Sequence, residues 1–301
     1  MKKFLSYGPT LIVIAAVLWG LDGVLRRSLF SLPPITIVFY EHLIGLILML
    51  PALFAAAKKE TLSRSSWTAI LWVSLLSGML GTLWFTTALL KVQFIPFSVV
   101  FLIQKLQPIF ATLAGIFLLK ERISKEHLVW AGFALVAAYF VTFPGGQVNF
   151  ATGGETGIAA LFAVGAAFAW GSSTAVSRFA LKDNSDTYIT GLRFFFTTLM
   201  ALIGVFVLGQ GASLVLPTLS QFGRLITIAL STGMLALWIY YKGLKKTKVG
   251  VATILELVFP LTAVIIDLVL YKTTLATSQY LAAGALLFSI WRMSQLNQDK
   301  V

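Results

Sequence analysis

The chain has 301 residues, of which 58% are hydrophobic and 11% charged, with a formal net charge of +12. A soluble domain carries about 25% charged residues, so this chain lacks the surface with which to face water and reads as a polytopic membrane protein. It contains no cysteine, which excludes disulfides, zinc thiolates and iron–sulfur clusters.

A hydrocarbon core is crossed by roughly 17–25 mostly apolar residues, and about ten such stretches follow one another. They lie near residues 8–29, 34–56, 67–90, 97–119, 126–143, 156–180, 187–209, 220–242, 249–271 and 276–293, bounded by Pro, Gly and charge clusters. The first has a basic start but lacks a small-residue cleavage site, so it reads as a retained helix rather than a signal peptide. With a cytoplasmic N-terminus, 16 Lys and Arg fall in inner segments and 5 in outer ones. That bias predicts cytoplasmic termini in a multi-pass protein of the cell membrane, plasma or bacterial inner. The basic residues form no stripe and accompany no nucleic-acid motif, so nucleic acid is not an expected partner.

The chain also repeats itself. AAVLWG (15–20) returns as AAFAWG (166–171), and Arg27 then matches Arg178. SGMLGTLWF (77–85) returns as TGMLALWI (232–239), and LQPIFA (106–111) as VFPLTA (258–263), with Pro260 answering Pro108. Five spans per half is an odd number, so the halves, 1–146 and 147–301, insert in opposite senses across the link PGGQVNFATGGETG (144–157). The expected fold is an all-α integral membrane protein of two inverted five-helix repeats, with a binding site near the midplane where they meet.

An ionisable side chain at bilayer depth costs about 2.5–3.5 kcal/mol on insertion scales and so marks a functional site by default. Asp22, Glu41, His42, Lys105, Arg193, Glu256 and Asp267 all sit in apolar spans. Asp22 and Arg26 are one helical turn apart, so they also suit a simple pair. Glu41 and His42 are adjacent and project about 100° apart, so one of the two is expected to face a neighbouring helix. Lys105, in QKLQP, needs a carboxylate, an anionic ligand or water, and its depth matches that of Glu41. His42 is a candidate carrier of a coupling proton. Aromatic residues supply the apolar part of a pocket: Trp19, Trp84, Trp170 and Trp238 recur at matched places, with Tyr40, Tyr240 and Tyr241 close by. Trp67, Trp72, Trp130 and Trp291 read as interfacial belts.

The WG pairs at 19–20 and 170–171, the prolines of spans 4 and 9, and LLKERIS (118–124) together resemble the drug/metabolite transporter superfamily, EamA type. The resemblance covers nearly the whole chain. It implies alternating access, with a cavity walled by spans 1–4 and 6–9 and with spans 5 and 10 peripheral, and relatives that export amino acids or other small metabolites. Two departures stand out. The Glu that often precedes the prolines is Gln107 and Phe259 here, and LYKTTLA (270–276), the counterpart of LLKERIS, lacks its acid.

The expected function is secondary transport by alternating access: an exporter or exchanger of small zwitterionic or amphipathic metabolites, aromatic or branched amino acids first. Its candidate binding residues are Trp19, Asp22, Tyr40, Glu41, His42, Trp84, Lys105, Trp170, Arg193, Trp238, Tyr240 and Glu256. Export of cationic drugs or amines, read by Asp22, Glu41 and Glu256 together with Trp, is the alternative. A channel or lipid scramblase ranks lower, since no filter-like loop is visible. An enzyme is not expected, because only His42 and His127 exist and neither HExxH nor Gly-x-Ser-x-Gly occurs. No cofactor or metal is expected; the partners are the solute and the bilayer, around a monomer or homodimer.

Overall fold

The computed structural model describes residues 7–92, 99–151, 153–270, 272 and 274–296, without the side chains of Val24, Arg27, Val99, Asp267 and Leu270. The expectations for Lys2, Lys3, Lys300 and Asp267, and the match of Arg27 to Arg178, therefore lie outside the described residues. The elements in order are α1 (Gly8–Gly20), α2 (Asp22–Arg27), α3 (Pro34–Ala57), α4 (Arg64–Val73), a wider π-helical stretch (Ser74–Gly81), α5 (Thr82–Lys91), α6 (Val99–Gln104), α7 (Gln107–Leu119), α8 (Lys125–Thr142), α9 (Thr156–Leu181), α10 (Asp186–Val207), α11 (Leu219–Leu230), α12 (Met234–Leu244), α13 (Val249–Leu255), α14 (Val258–Leu270) and α15 (Thr277–Gln295). Among the described residues there is no β-strand.

Among the described residues, seven stretches are long and apolar enough to cross a membrane: Pro34–Ala57, Arg64–Lys91, Val100–Leu119, Thr156–Leu181, Asp186–Val207, Leu219–Leu244 and Val249–Ile266. The other three expected spans are helical but fall short of that measure. The helix at Gly8–Gly20 is cut short at Leu21, α8 opens on the polar turn Lys125–His127, and α15 is polar at both ends. Large apolar side chains cover the outside, Leu161 and Leu281 being 74% and 72% exposed. On a protein with membrane-length helices, such a face belongs to lipid.

Two of the chain's breaks follow from proline. Proline has no N–H and its ring crowds the carbonyl four residues back, which is Gln104 for Pro108 and Glu256 for Pro260. The helices accordingly stop at Gln104 and Leu255 and restart at Gln107 and Val258, with tight three-residue turns at Leu102–Lys105 and Ile254–Leu257 between. A third break, Ser231–Gly233, separates α11 from α12. Elsewhere helices start from side-chain caps, worth about 1 kcal/mol each: Ser63, Ser124, Ser185 and Thr218 accept from the backbone N–H three residues on.

The bundle is tied through its middle. Helix α3 packs along α10, α7 along α9, α8 along α15 and α1 along α12. Gly171 of α9 allows the close approach of α7, for a Cβ there would stand 2.6 Å from the Gln107 carbonyl oxygen and 2.8 Å from Phe110 Cβ. The acid of LLKERIS closes one end. Lys120 takes a left-handed φ of 56° and turns the chain off α7. The buried Glu121 then accepts from Arg178 Nη1 (2.8 Å) and from the Val249 and Gly250 N–H groups (2.9 and 3.3 Å) at the start of α13. A carboxylate at a helix start is favoured by the unpaired N–H groups there.

Candidate functional site

A cavity of about 260 Å³ lies among the breaks. Its wall includes Trp19, Asp22, Glu41, His42, Lys105, Trp170, Arg193, Tyr240 and Glu256 from the expected set, and also Arg26, Ser77, Phe85, Phe101, Gln104, Gln107, Thr232 and Phe259. The polar groups fall into three assemblies and one remainder.

The first assembly is an ion cluster. Arg26 Nε donates to Asp22 Oδ2 at 2.7 Å, and its Nη1 stands 3.0 Å from Glu41 Oε2. Thr232, in the α11–α12 break, donates to Asp22 Oδ1 at 2.8 Å. Glu41 is thus committed to Arg26, and the Lys105–Glu41 contact that equal depth suggested is not made. The reason is reach: Arg26 is one turn from Asp22 and faces α3, so one guanidinium serves both acids. His42 also lines the cavity, its Nδ1 donating to the Val38 carbonyl one turn back (2.8 Å) and its ring 5.2 Å from that of Phe194. Both neighbours Glu41 and His42 therefore reach the wall, because the cavity is wide enough to span their separation.

The second assembly centres on Arg193. Its Nη1 donates to Tyr241 Oη (2.7 Å) and its Nη2 to Ser77 Oγ (2.8 Å), so its pairing across helices is with hydroxyls. Ser77 lies in the π-helical stretch, where the Ser77 carbonyl also accepts from the Trp170 indole N–H (3.1 Å). Gly81 makes room for that indole, since a Cβ there would meet Trp170 Cδ1 and Nε1 at 2.7 Å. Such wide turns recur at functional sites because they turn side chains and carbonyls off the regular ladder.

The third assembly joins the two proline breaks. Glu256 accepts from Tyr240 Oη (2.6 Å) and from Gln107 Nε2 (3.0 Å). Tyr240 in turn lies 5.0 Å, ring to ring, from Trp19, and Phe85 lies 5.1 Å from Trp170, so aromatic walls flank the polar floor. Lys105 is the remainder: it lines the cavity with no hydrogen bond or ion pair to any described residue.

Three expected residues stand elsewhere. The Tyr40 hydroxyl donates to the Val215 carbonyl (2.8 Å), away from the cavity. Trp84 packs against Gly165, and Trp238 donates to Thr187 Oγ1 (3.0 Å) beneath the Lys242 ammonium, 3.6 Å above its ring. Each is rotated about its helix axis beyond the arc that faces the cavity. Arg26, Ser77 and Gln104 are wall residues outside the expected set; Gln104 carries a usable signal, since it sits four residues before a proline in an apolar span.

A solute-sized cavity inside a bundle of membrane-length helices, walled by aromatics and by charges of both signs, is the architecture of a multi-pass membrane transport protein. The chain belongs to the EamA-like transporter family, whose model matches residues 6–143 and again 157–295. It is a member of a transporter family and not an enzyme. Among curated proteins it is 36% identical to "Riboflavin transporter ImpX" of Fusobacterium nucleatum, over 96% of this chain and 98% of that one. It is 24% identical to "Protein LicB" of Haemophilus influenzae, over 94% and 97%. A solved crystal structure, 18% identical, has the same fold with a TM-score of 0.75 over 97% of this chain and 98% of that one.

Proposed function

We propose that the protein carries a flavin-like metabolite, riboflavin or a close relative, by alternating access between two inverted five-helix repeats. The observation that carries this reading is the balance of the wall. Asp22, Glu41 and Glu256 face Arg26, Arg193 and Lys105, three formal charges of each sign, between aromatic rings from Trp19, Phe85, Trp170 and Tyr240. A neutral, planar, amphipathic solute suits such a wall: its ring stacks and its polar edge replaces water. Riboflavin is of that kind, and the relative named for it supports the choice. An amino acid or an amine asks instead for a free carboxylate to hold its ammonium. Asp22 and Glu41 share Arg26, and Glu256 holds two hydrogen bonds, which argues against both.

The two family matches, each about the length of one half, support the repeat reading. The 16 to 5 distribution of Lys and Arg supports cytoplasmic termini. Labels at Gln147 and Lys59 are then expected on opposite faces of the membrane, with Gln147 outside; labels on one face overturn the topology. For the substrate, the purified protein is reconstituted in vesicles and tested for counterflow of labelled riboflavin, phenylalanine, leucine and a quaternary amine. Saturable riboflavin counterflow is expected. Counterflow of an amino acid alone returns the amino-acid reading, and flux that never saturates points to a channel.

A further inference from the structure

The two glutamines around Lys105 have their amides oriented by chemistry. Gln107 Nε2 faces the Glu256 carboxylate (3.0 Å) and Gln104 Nε2 faces the Ala163 carbonyl (3.1 Å), groups that only accept. Each amide oxygen is therefore left over, and among the described residues neither accepts a hydrogen bond. Lys105 between them donates to no described residue, while every other formal charge on the wall is held by at least one protein group at 3.0 Å or less. All three residues line the cavity at the Pro108 break. Ser173 Oγ, Thr253 Oγ1 and Arg193 Nε are also left over on the wall, but only here does a charged donor stand unheld, with an acceptor on each side along the chain.

That set complements one chemical group in particular. A cyclic imide edge presents carbonyl, N–H, carbonyl: it needs a donor for a carbonyl and an acceptor for the N–H. Resting on the flavin reading above, we infer that Gln104, Lys105 and Gln107 read the imide edge of the solute's ring, and that the polyol chain is the less discriminated part. The Lys105 ammonium donates to a ring carbonyl, and a glutamine oxygen accepts the imide N–H. No covalent bond changes.

The test is equilibrium binding to the purified protein, followed by flavin fluorescence, with lumiflavin (the ring without the polyol) and 3-methyl-lumiflavin (the same ring with its imide N–H capped). Lumiflavin is expected to bind about tenfold more tightly or better, the size of the imide N–H hydrogen bond that the methyl removes together with the glutamine oxygen it leaves unpaired. Equal binding of the two rings, or binding of neither, overturns the inference. Lys105→Met is expected to weaken binding of both rings and to raise KM about tenfold with a smaller change in kcat, and Lys105→Arg to recover part of it, while the double variant Gln104→Leu/Gln107→Leu is expected to lose the discrimination between the rings. Unchanged lumiflavin affinity in a folded Lys105→Met protein, or unchanged discrimination in a folded Gln104→Leu/Gln107→Leu protein, also overturns it. Discriminating binding by a protein that fails to transport riboflavin strikes the proposed function and leaves this inference standing.

Discussion

Arg26 and Lys105 are both cations on the wall of one cavity, and their surroundings are opposite. Arg26 is buried between Asp22 and Glu41, with Thr232 completing the cluster across a helix break. Lys105 stands at another break with no partner among the described residues. In a low-dielectric interior an ion held by fixed partners joins the elements that carry those partners; an ion without them is stable only against water or a solute. The first region fastens α2, α3 and the α11–α12 break. The second is open to chemistry. A charge inside a membrane protein is therefore a sign of function or of architecture according to whether its capacity is already spent.

The largest expected effect breaks this contrast directly. Arg26→Met leaves two buried carboxylates without their cation and is expected to cost about 3–5 kcal/mol, read as loss of protein from the membrane and a lower melting temperature in detergent. Adding Asp22→Asn and Glu41→Gln is expected to restore much of it, since no buried charge then lacks a partner. Lys105→Met is expected to leave stability unchanged or raise it, as it removes an ammonium that no described group compensates. Equal destabilisation by Arg26→Met and Lys105→Met would end the distinction.

A smaller effect sharpens the contrast through the backbone near Lys105. Gly171→Ala places a Cβ 2.6 Å from the Gln107 carbonyl oxygen, which as backbone has little freedom to retreat. Helix α7 must shift, at a cost of about 1–3 kcal/mol. The expected result is a lower melting temperature and weaker solute binding together, because Gln107 moves with its helix. Gly132→Ala serves as the control: nothing lies within 4 Å of its Cβ, and the loss of backbone freedom in the unfolded chain favours a gain of about 0.4–1 kcal/mol. Thermal melts of the two variants moving in the same direction would contradict the packing argument.

The sequence makes the breaks legible because proline acts locally: Pro108 and Pro260 mark where α7 and α14 begin from the chain alone. It makes the apolar spans legible for the same reason, since length and hydropathy need no partner. Which face of a helix meets the cavity is a different quantity. Tyr40 and His42, two residues apart on one helix, project about 200° apart, so only one can face the cavity: His42 does, and Tyr40 turns to the Val215 carbonyl. Which of the two faces it is set by how α3 lies on α10, which no local pattern encodes. The partner of Glu41 was hidden likewise, because Arg26 lies on another helix and Lys105 offers the same charge at similar depth. The π-helical stretch left no mark either. SLLSGMLG has the composition of an ordinary span, and the residues it fits closely, Thr197 at Gly78 and Trp170 at Gly81, lie far along the chain.

The smallest expected effect concerns that stretch and separates wall from brace in one residue. Trp170 does two things: its ring lines the cavity beside Phe85, and its N–H holds the Ser77 carbonyl at 3.1 Å. Trp170→Phe keeps most of the ring and removes the N–H. The Ser77 carbonyl is still met by the Thr82 hydroxyl at 3.2 Å, so it is not orphaned, and the cost is expected at the low end of a hydrogen bond, about 0.5–1 kcal/mol. A slight fall in melting temperature with near-normal solute affinity is the expected outcome. Trp170→Ala, which also removes the stacking surface, is expected to weaken solute binding well beyond Trp170→Phe while adding little further loss of protein from the membrane. If Phe and Ala weaken solute binding alike, the indole N–H rather than the ring is what the solute needs, and Trp170 belongs with Arg26 as a fastening residue that shapes the cavity from behind.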